Sequence, residues 1–413
     1  MRRILVKYAK PGMVLARDLY DGYGHMVLKK GTQLNEEFVQ SLEYIGCPEL
    51  IIVDDRVQDV AVWPLIPSEL EGTIAENLGE VMAQAELMRP DVVIGTRDPG
   101  RSSASVSGSA TNQQATKTCE SIDVTRLRQL TSQMVQQLSP VPKGDPTITG
   151  WHSLRNSTCV LPVKIAGLSL LMGKAAGLNE TQLVDLGMAA LLQNIGYVMV
   201  IPQDLVHRPG ALCEDLAFSS AWRIADNGQK PEPKLEPLTE DELQIVWRHP
   251  VYGAEMLEKC GVDSKVSEII LQHHERWNGN GYPAGLKGKD ISLSARILAM
   301  TDTCCTMVSR KPYRQAFLPL EASELIVACS HVFYDLELVQ MFIEQIPFFP
   351  TGVMVKLNTG EVGIVTDANL GLVGRPRIRI CYDEDSQPVE KPYDIDLAED
   401  EYEGKLVTTA LEY

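Results

Sequence analysis

Signals that start α-helices recur along one long stretch of the chain, roughly residues 122–346. Thr239 and Glu242 have the spacing of a capping box, in which each side chain bonds the other residue's backbone N–H, and an apolar run follows them. Asn179 and Gln182 repeat this spacing ahead of a second apolar run. Several helices in succession predict an α-helical bundle, and no other feature of the sequence restricts the fold as strongly.

Shorter stretches in which apolar and polar residues alternate flank the predicted bundle. Residues 1–62 alternate around glycine turns and residues 349–413 alternate again, so we predict a small β-rich module at each end, the first of them with a helix. Residues 63–119 are interpreted as a spacer and a flexible linker rich in Ser, Gly and Ala. The helical domain covers residues 120–348 and includes a polar, proline-containing insertion loop at residues 213–237. The predicted fold class is therefore mainly α, with small β-rich modules on both sides.

The composition predicts a folded chain and argues against two classes of partner. The chain has 413 residues, of which 44% are apolar, and a formal net charge of −17. Such an acidic surface repels phosphate backbones and anionic lipid head groups, so we expect neither nucleic acid nor a membrane as partner. No signal peptide and no apolar run of about 18–20 residues is present, and the nine scattered cysteines indicate reduced thiols. We therefore predict a cytoplasmic protein.

Three histidines and one aspartate of the helical stretch are residue types that ligate Zn, Fe or Mn ions. They are His249, His273, His274 and Asp302, the last at the end of the apolar segment ISLSARILAMTD. Neighbouring residues of a helix point about 100° apart, so His273 and His274 are not expected to face one ion from a single stripe. Either they serve two neighbouring ions or one of them has another role. From spacing alone, a structural or surface role for the pair is equally consistent.

The loop after the histidine doublet and the segments around it resemble the motif of a known protein family. The segment HHERWNGNGYPAGLKGKDISLSARILAMTD, followed by SRKPYRQA, resembles the signature of the HD-GYP family, and the loop that names the family is Gly281, Tyr282 and Pro283 in this chain. His249, in WRHPVYGAEML, is similar to the family's His-Pro turn. The resemblance implies a helical bundle of the HD superfamily. It also implies an activity, since active members use a site of two or three metal ions to hydrolyse cyclic di-GMP.

The chain departs from this family at the His-Asp doublet that names the HD superfamily. Active members have a segment like ALLHDIGKIGIP, and the matching segment here is AALLQNIGYVMVIP. Gln193 and Asn194 replace the His and the Asp, and Tyr197 replaces the Lys. In active members the Asp bridges two metal ions and the Lys lies beside the phosphate, so these exchanges predict weakened metal binding. Without an ion that lowers the pKa of a bound water toward about 7, hydrolysis has no nucleophile at neutral pH.

The leading interpretation is a bacterial-type cyclic di-GMP signalling protein that is catalytically inactive and acts by binding the nucleotide, a protein partner or both. Lys311 and Arg314 are candidate phosphate contacts, because a guanidinium donates two parallel hydrogen bonds to phosphate. A solvated helix end explains this pair equally well. The family resemblance implies that the loop Gly281–Pro283 contacts GGDEF-type or other signalling proteins.

Two alternatives stay open. In the first, His249, His273, His274 and Asp302 hold one divalent ion (Fe, Mn, Zn or Ni), and the chain is a divergent metal-dependent cyclic di-GMP phosphodiesterase with a reduced metal set. Without that ion, no cofactor is expected. In the second, the bundle is only a structural core and the two β-rich modules carry the function.

Overall fold

The structure of this chain is a computed structural model. It describes residues 1–20, 26–44, 47, 49–60, 65–88, 122–138, 157–200, 238–309, 317 and 319–410. The Ser-, Gly- and Ala-rich linker and the insertion loop lie outside the described residues, and so do the candidate phosphate contacts Lys311 and Arg314.

Helices form the middle of the chain and strands lie toward its two ends. The helices are α1 (Glu36–Tyr44), α2 (Ser68–Leu87), α3 (Thr125–Gln137), α4 (Ser157–Ala175), α5 (Glu180–Leu192), α6 (Glu240–Val246), α7 (His249–Lys259), α8 (Ser264–Gln272), α9 (Leu293–Met307), α10 (Pro319–Ala328) and α11 (Leu336–Gln345). The strands are β1 (Arg2–Leu5), β2 (Leu19–Tyr20), β3 (Met26–Leu28), β4 (Glu49–Ile52), β5 (Met354–Leu357), β6 (Val362–Asp367), β7 (Arg377–Tyr382), β8 (Pro388–Asp396) and β9 (Val407–Ala410). The predicted fold class, a mainly α bundle between small β-rich modules, is confirmed.

Helices begin where the sequence supplies caps. Both predicted capping boxes form, one between Asn179 and Gln182 at the start of α5 and one between Thr239 and Glu242 at the start of α6. Each box satisfies backbone donors that have no partner inside the helix.

One apolar core joins the helices of the bundle, and it includes a helix that the sequence assigned to a spacer. Ile74, Leu78 and Val81 of α2 are buried in the same cluster as the central helices. Lys164 of α4 also pairs with Glu71 of α2 at 3.6 Å. Helix α2 is therefore part of the bundle, because its apolar stripe needs a partner surface. Within the described ranges, no helix is both long enough and apolar enough to cross a bilayer.

The two β-rich modules contact each other although they stand at opposite ends of the sequence. In the first module β1 pairs with β4 and β2 with β3, both antiparallel. The second is a five-stranded sheet in the order β8-β7-β6-β5-β9. Val57 and Val60 of the first module are buried together with Met354 and Ile364 of the sheet. The two modules therefore share a small apolar cluster.

The sheet is also attached to the bundle. Phe348 and Phe349, which follow α11, are buried in the apolar cluster of the sheet, and Leu320 and Ile343 of the last two helices pack against that cluster. The bundle is thus in contact with the module that follows it.

Candidate histidine site

Three chain segments meet at one point of the bundle: the 3₁₀ turn Ile195–Met199 that follows α5, the first turn of α7, and the residues just after α8. Gly196 permits the close approach of the turn to α7, because a Cβ on this residue would lie 1.9 Å from the backbone oxygen of His249. Any larger residue would force the two segments apart. The glycine therefore brings His249 next to the segment that starts with Gln193 and Asn194.

His249, His273 and His274 form one buried cluster. Each offers a ring nitrogen such that the three atoms lie within 4.8 Å of one another. The ring centroids of His273 and His274 are only 3.9 Å apart. The expectation that the two neighbours would diverge is wrong, because it assumed that one helix carries both. Helix α8 ends at Gln272, His273 is its C-cap, and the chain turns at the two histidines.

Backbone carbonyls orient two of the three imidazoles. Nδ1 of His249 lies 3.0 Å from the oxygen of Val246, and Nδ1 of His273 lies 2.5 Å from the oxygen of Ile270. A carbonyl only accepts, so Nδ1 carries the proton in both rings and Nε2 keeps its lone pair. Neither Nε2 atom has a hydrogen-bond partner among the described residues, and the same holds for both ring nitrogens of His274.

Burial keeps the three rings neutral. It lowers the pKa of His273 to about 4, and the nearby Arg276 cation adds to this effect. Burial also lowers the pKa of His249 and of His274 well below 6.5, with the charge of the neighbouring ring as a further cause. Neutral imidazoles with unshared lone pairs are good ligands for divalent transition metals. The cluster therefore has the donor chemistry for one such ion.

Asp302, the fourth predicted ligand, is engaged by a different partner. Its Oδ1 accepts a 2.8 Å hydrogen bond from Nε2 of Gln193, and Thr306 also donates to it. The group of converging ligand atoms that the described residues form does not include Asp302. Asp302 lies inside its helix, since α9 continues to Met307. The cluster therefore offers three imidazole nitrogens without a carboxylate.

Curated relatives and solved structures resemble this chain. A cyclic di-GMP phosphodiesterase of Pseudomonas aeruginosa is 28% identical over 221 residues, which are 53% of this chain and 47% of the relative. A cyclic di-GMP phosphodiesterase of Thermotoga maritima is 30% identical over 183 residues, 44% of this chain and 42% of the relative. The chain thus spans less than half the length of these relatives. A solved HDG"Y"P protein of Bdellovibrio bacteriovorus is 16% identical at a TM-score of 0.41, covering 82% of this chain and 97% of that one.

Family models match both the site and the sheet. A model described as an HD domain matches residues 230–338, which contain the histidine cluster, the Gly-Tyr-Pro loop and Asp302. These matches support the resemblance of the chain to the HD-GYP family. A second model, a KOW domain associated with an HD domain, matches residues 354–402 and so most of the five-stranded sheet.

The residue that stands at the HD-GYP lysine position by sequence resemblance packs against the cluster. The ring of Tyr197 stacks on His249, with 4.0 Å between ring centroids and 23° between ring planes. Asn194 precedes the 3₁₀ turn and makes no side-chain capping bond there. The segment after α5 therefore presents an aromatic ring to the histidines at this point.

The GYP loop folds back onto the histidine doublet. Tyr282 is only 8% exposed, and its N–H donates to the oxygen of His274. Its ring stacks on Trp247 at 5.1 Å and lies 4.7 Å from the ring of His274. Pro283 and the two residues after it are exposed. The tyrosine of the loop is therefore buried, and the exposed part begins at Pro283.

Glu275, for which the sequence motifs predicted no role, organises this loop. Its buried carboxylate accepts hydrogen bonds from the backbone N–H groups of Ala284 at 2.7 Å and Leu286 at 2.9 Å. Burial raises the pKa of Glu275, and these N–H groups partly offset the rise. Gly281 lies so close that a Cβ there would be 2.5 Å from Cα of Glu275. The available signal was a glutamate directly after the doublet, followed by a glycine-rich loop with many backbone donors.

Proposed function

We propose that this chain is a cyclic di-GMP signalling protein that binds the nucleotide beside the histidine cluster without hydrolysing it. The hydrogen bond from Gln193 to Asp302 carries the proposal. A hydrolytic site with two ions brings a charge of about +4 into the protein, and that charge requires anionic ligands nearby. Here the Asp302 carboxylate accepts a hydrogen bond from the neutral amide of Gln193. The three converging ligands are histidines, and they are neutral.

The choice of nucleotide rests on the relatives. The relatives from Pseudomonas aeruginosa and Thermotoga maritima are named as cyclic di-GMP phosphodiesterases. We propose that this chain binds the same nucleotide, cyclic di-GMP, but does not hydrolyse it. Lys311 and Arg314 stay predicted phosphate contacts.

A protein partner is the second part of the proposal. The buried Tyr282 holds the loop in place, and the exposed residues Pro283–Gly285 are the part that a partner can touch. We assign the predicted contact with a GGDEF-type protein to this exposed end. Substitution of Pro283 by Ser should weaken capture of a purified GGDEF protein, while the same substitution at the distant Pro388 should leave it unchanged.

A divergent phosphodiesterase is the second candidate function. The observation in its favour is the set of unshared Nε2 lone pairs on His249 and His273, next to the unpartnered ring nitrogens of His274. These residues would hold one divalent ion, which supplies an activated water when bound. His249 and His273 are already oriented for this role by the carbonyls that fix their tautomers.

Metal content and nucleotide chemistry, measured on one sample, separate the two functions. The full chain is purified without added metal, analysed for Fe, Mn, Zn and Ni, and titrated with cyclic di-GMP in a calorimeter while hydrolysis is followed by chromatography. Binding without product supports the proposal. Turnover that disappears in the His273→Ala variant supports the phosphodiesterase, and absence of both binding and turnover contradicts both functions.

A further inference from the structure

The turn that joins α10 to α11 lies against the segment that leads into the GYP loop. Trp277 donates its backbone N–H to the oxygen of Phe333 at 3.0 Å, and Asn278 donates its N–H to the oxygen of Val332, also at 3.0 Å. Val332 is 46% exposed. The loop segment and the turn are thus joined backbone to backbone, and an apolar side chain stands at the surface of the junction.

The exposed end of the GYP loop is continuous with this turn. Pro283–Gly285 are exposed, and a Cβ on Gly279 would lie 3.5 Å from the oxygen of Gly285. The same Cβ would lie 3.5 Å from Cβ of Lys287, so this lysine borders the same point. The residue before Gly279 is the one that bonds to Val332. Pro283–Gly285, Lys287 and Val332 therefore form one stretch of surface, which we name the loop–turn surface.

The cations of this surface have no carboxylate partner. Lys287 and the nearby Lys289 are exposed, and neither forms an ion pair with any residue that the structure describes, whereas Lys265 is paired with Glu268. Two lysines and one aspartate give residues 277–290 a net charge of +1, in a chain whose net charge is −17. A protein face that complements this surface therefore carries a carboxylate opposite the lysines.

Contacts behind the surface hold the turn in place. Asp335 is buried at the end of the turn and pairs with Arg296 of α9. The guanidinium of Arg296 also lies 5.6 Å from the ring centroid of Trp277. His331 donates its backbone N–H to the oxygen of Tyr334 at 2.9 Å, which closes the turn. A surface whose backbone is fixed before binding loses little conformational entropy when a partner docks.

We propose that the loop–turn surface is the docking site of the signalling partner, and that it binds a protein face on which an apolar side chain lies beside a carboxylate. The apolar side chain packs against Val332 and Pro283, and the carboxylate lies opposite Lys287. This inference rests on the proposed function, in which the partner is a GGDEF-type protein. It adds a second chain segment and a preference for acidic partners to the contact with the loop.

Surface plasmon resonance with the full chain and the purified GGDEF protein measures the two rates that these residues should control. Val332→Ser should raise the dissociation rate about fivefold and leave the association rate within about twofold, because a central apolar contact is lost. Lys287→Ala should lower the association rate about threefold at low salt and leave the dissociation rate within about twofold, because charges at the edge of an interface steer encounter. The association rate of the original chain should fall as salt is added, and Lys287→Ala should show less of this dependence.

Two exposed residues that end other helices supply matched controls, Leu87 on α2 and Lys259 on α7. Leu87→Ser and Lys259→Ala should leave both rates unchanged. Thermal unfolding of every variant is measured, so that rates are compared only between folded proteins.

Three outcomes would overturn the inference. If the original chain binds and Pro283→Ser weakens binding, but neither Val332→Ser nor Lys287→Ala changes a rate, the partner touches the loop alone and the proposed function stands. If light scattering finds that the original chain is a dimer and that Val332→Ser is a monomer, the surface is occupied by a second copy of this chain. If the original chain does not bind the GGDEF protein, the partner named in the proposed function is overturned together with the docking site.

Discussion

The side-chain amide of Gln193 donates a hydrogen bond of 2.8 Å to Oδ1 of Asp302, and Gln193 is fully buried. An amide in this place stabilises the carboxylate without adding a charge or an imidazole nitrogen. The other amide atom, Oε1, has no hydrogen-bond partner among the described residues. The pair therefore holds Asp302 in position in a way that does not depend on a metal ion.

Reversing the doublet should restore metal binding. In the variant that combines Gln193→His with Asn194→Asp, an imidazole and a second carboxylate join Asp302, and the added negative charge offsets part of the charge of a divalent ion. Elemental analysis should then find about one more ion per chain than in the original protein. Gln193→Ala, which removes the hydrogen bond without adding a ligand, should show no such gain. Equal metal content in the double variant and the original chain would contradict the idea that the doublet limits binding.

The conformation of the GYP loop should depend strongly on the carboxylate of Glu275. Glu275→Ala leaves the N–H groups of Ala284 and Leu286 without their acceptor, and we expect the free energy of unfolding to fall by about 2–4 kcal/mol. Glu275→Gln keeps one acceptor oxygen and should cost less. Denaturant unfolding followed by tryptophan fluorescence measures both. The control is Glu268→Ala, which removes an exposed glutamate paired with Lys265 and should lower the free energy of unfolding by well under about 1 kcal/mol. An equal loss of stability in Glu275→Ala and Glu268→Ala would refute the role of Glu275.

Local signals in the sequence predicted most of the helical fold. The capping boxes at Asn179 and Thr239 depend only on residues three positions apart, and both form as predicted. Packing between distant segments was harder to foresee. The apolar stripe of α2 does not reveal which surface it packs against. The interpretation of this segment as a spacer was therefore reasonable but incorrect. Contact between the two β-rich modules joins residues about three hundred positions apart, which no local pattern encodes.

The candidate site was predictable in its residue types and less so in its geometry. Motif resemblance selected His249, His273, His274 and Asp302, and three of these meet in one cluster. Their meeting depends on where α8 ends, and the boundaries of a helix are the part that sequence patterns predict least well. The link between Gln193 and Asp302 spans two helices, so spacing along the chain gives no sign of it.

Stability should fall as the pH drops below about 6.5, and the histidine cluster is the cause. Burial lowers the pKa of His273 from its ordinary value of 6.5 to about 4 in the folded chain. Between pH 4 and pH 6.5 the unfolded chain therefore binds more protons than the folded chain. The stabilising effect is complete above pH 6.5 and is lost as the pH falls toward 4. His273 alone should cost on the order of 2 kcal/mol between pH 7 and pH 5. Denaturant unfolding with a chelator present measures this slope, and an unchanged slope in His273→Gln would rule out the assignment.

Arg379 should couple the two β-rich modules. Its guanidinium donates to both carboxylate oxygens of Asp59, to Asp394 and to the backbone oxygen of Arg56, so one side chain of β7 joins the sheet to the first module. Asp59 is largely exposed, and exposed pairs contribute little. We therefore expect a coupling energy of about 1 kcal/mol between Arg379→Ala and Asp59→Ala in a double-mutant cycle.

Hydrogen exchange at Val57 and Val60 should rise in either variant. The matched pair Arg377 and Asp396 lies within the sheet, so its cycle should show coupling without faster exchange in the first module. If Asp59→Ala leaves exchange at Val57 and Val60 unchanged, the junction does not depend on this ion pair, and the apolar cluster alone holds the two modules together.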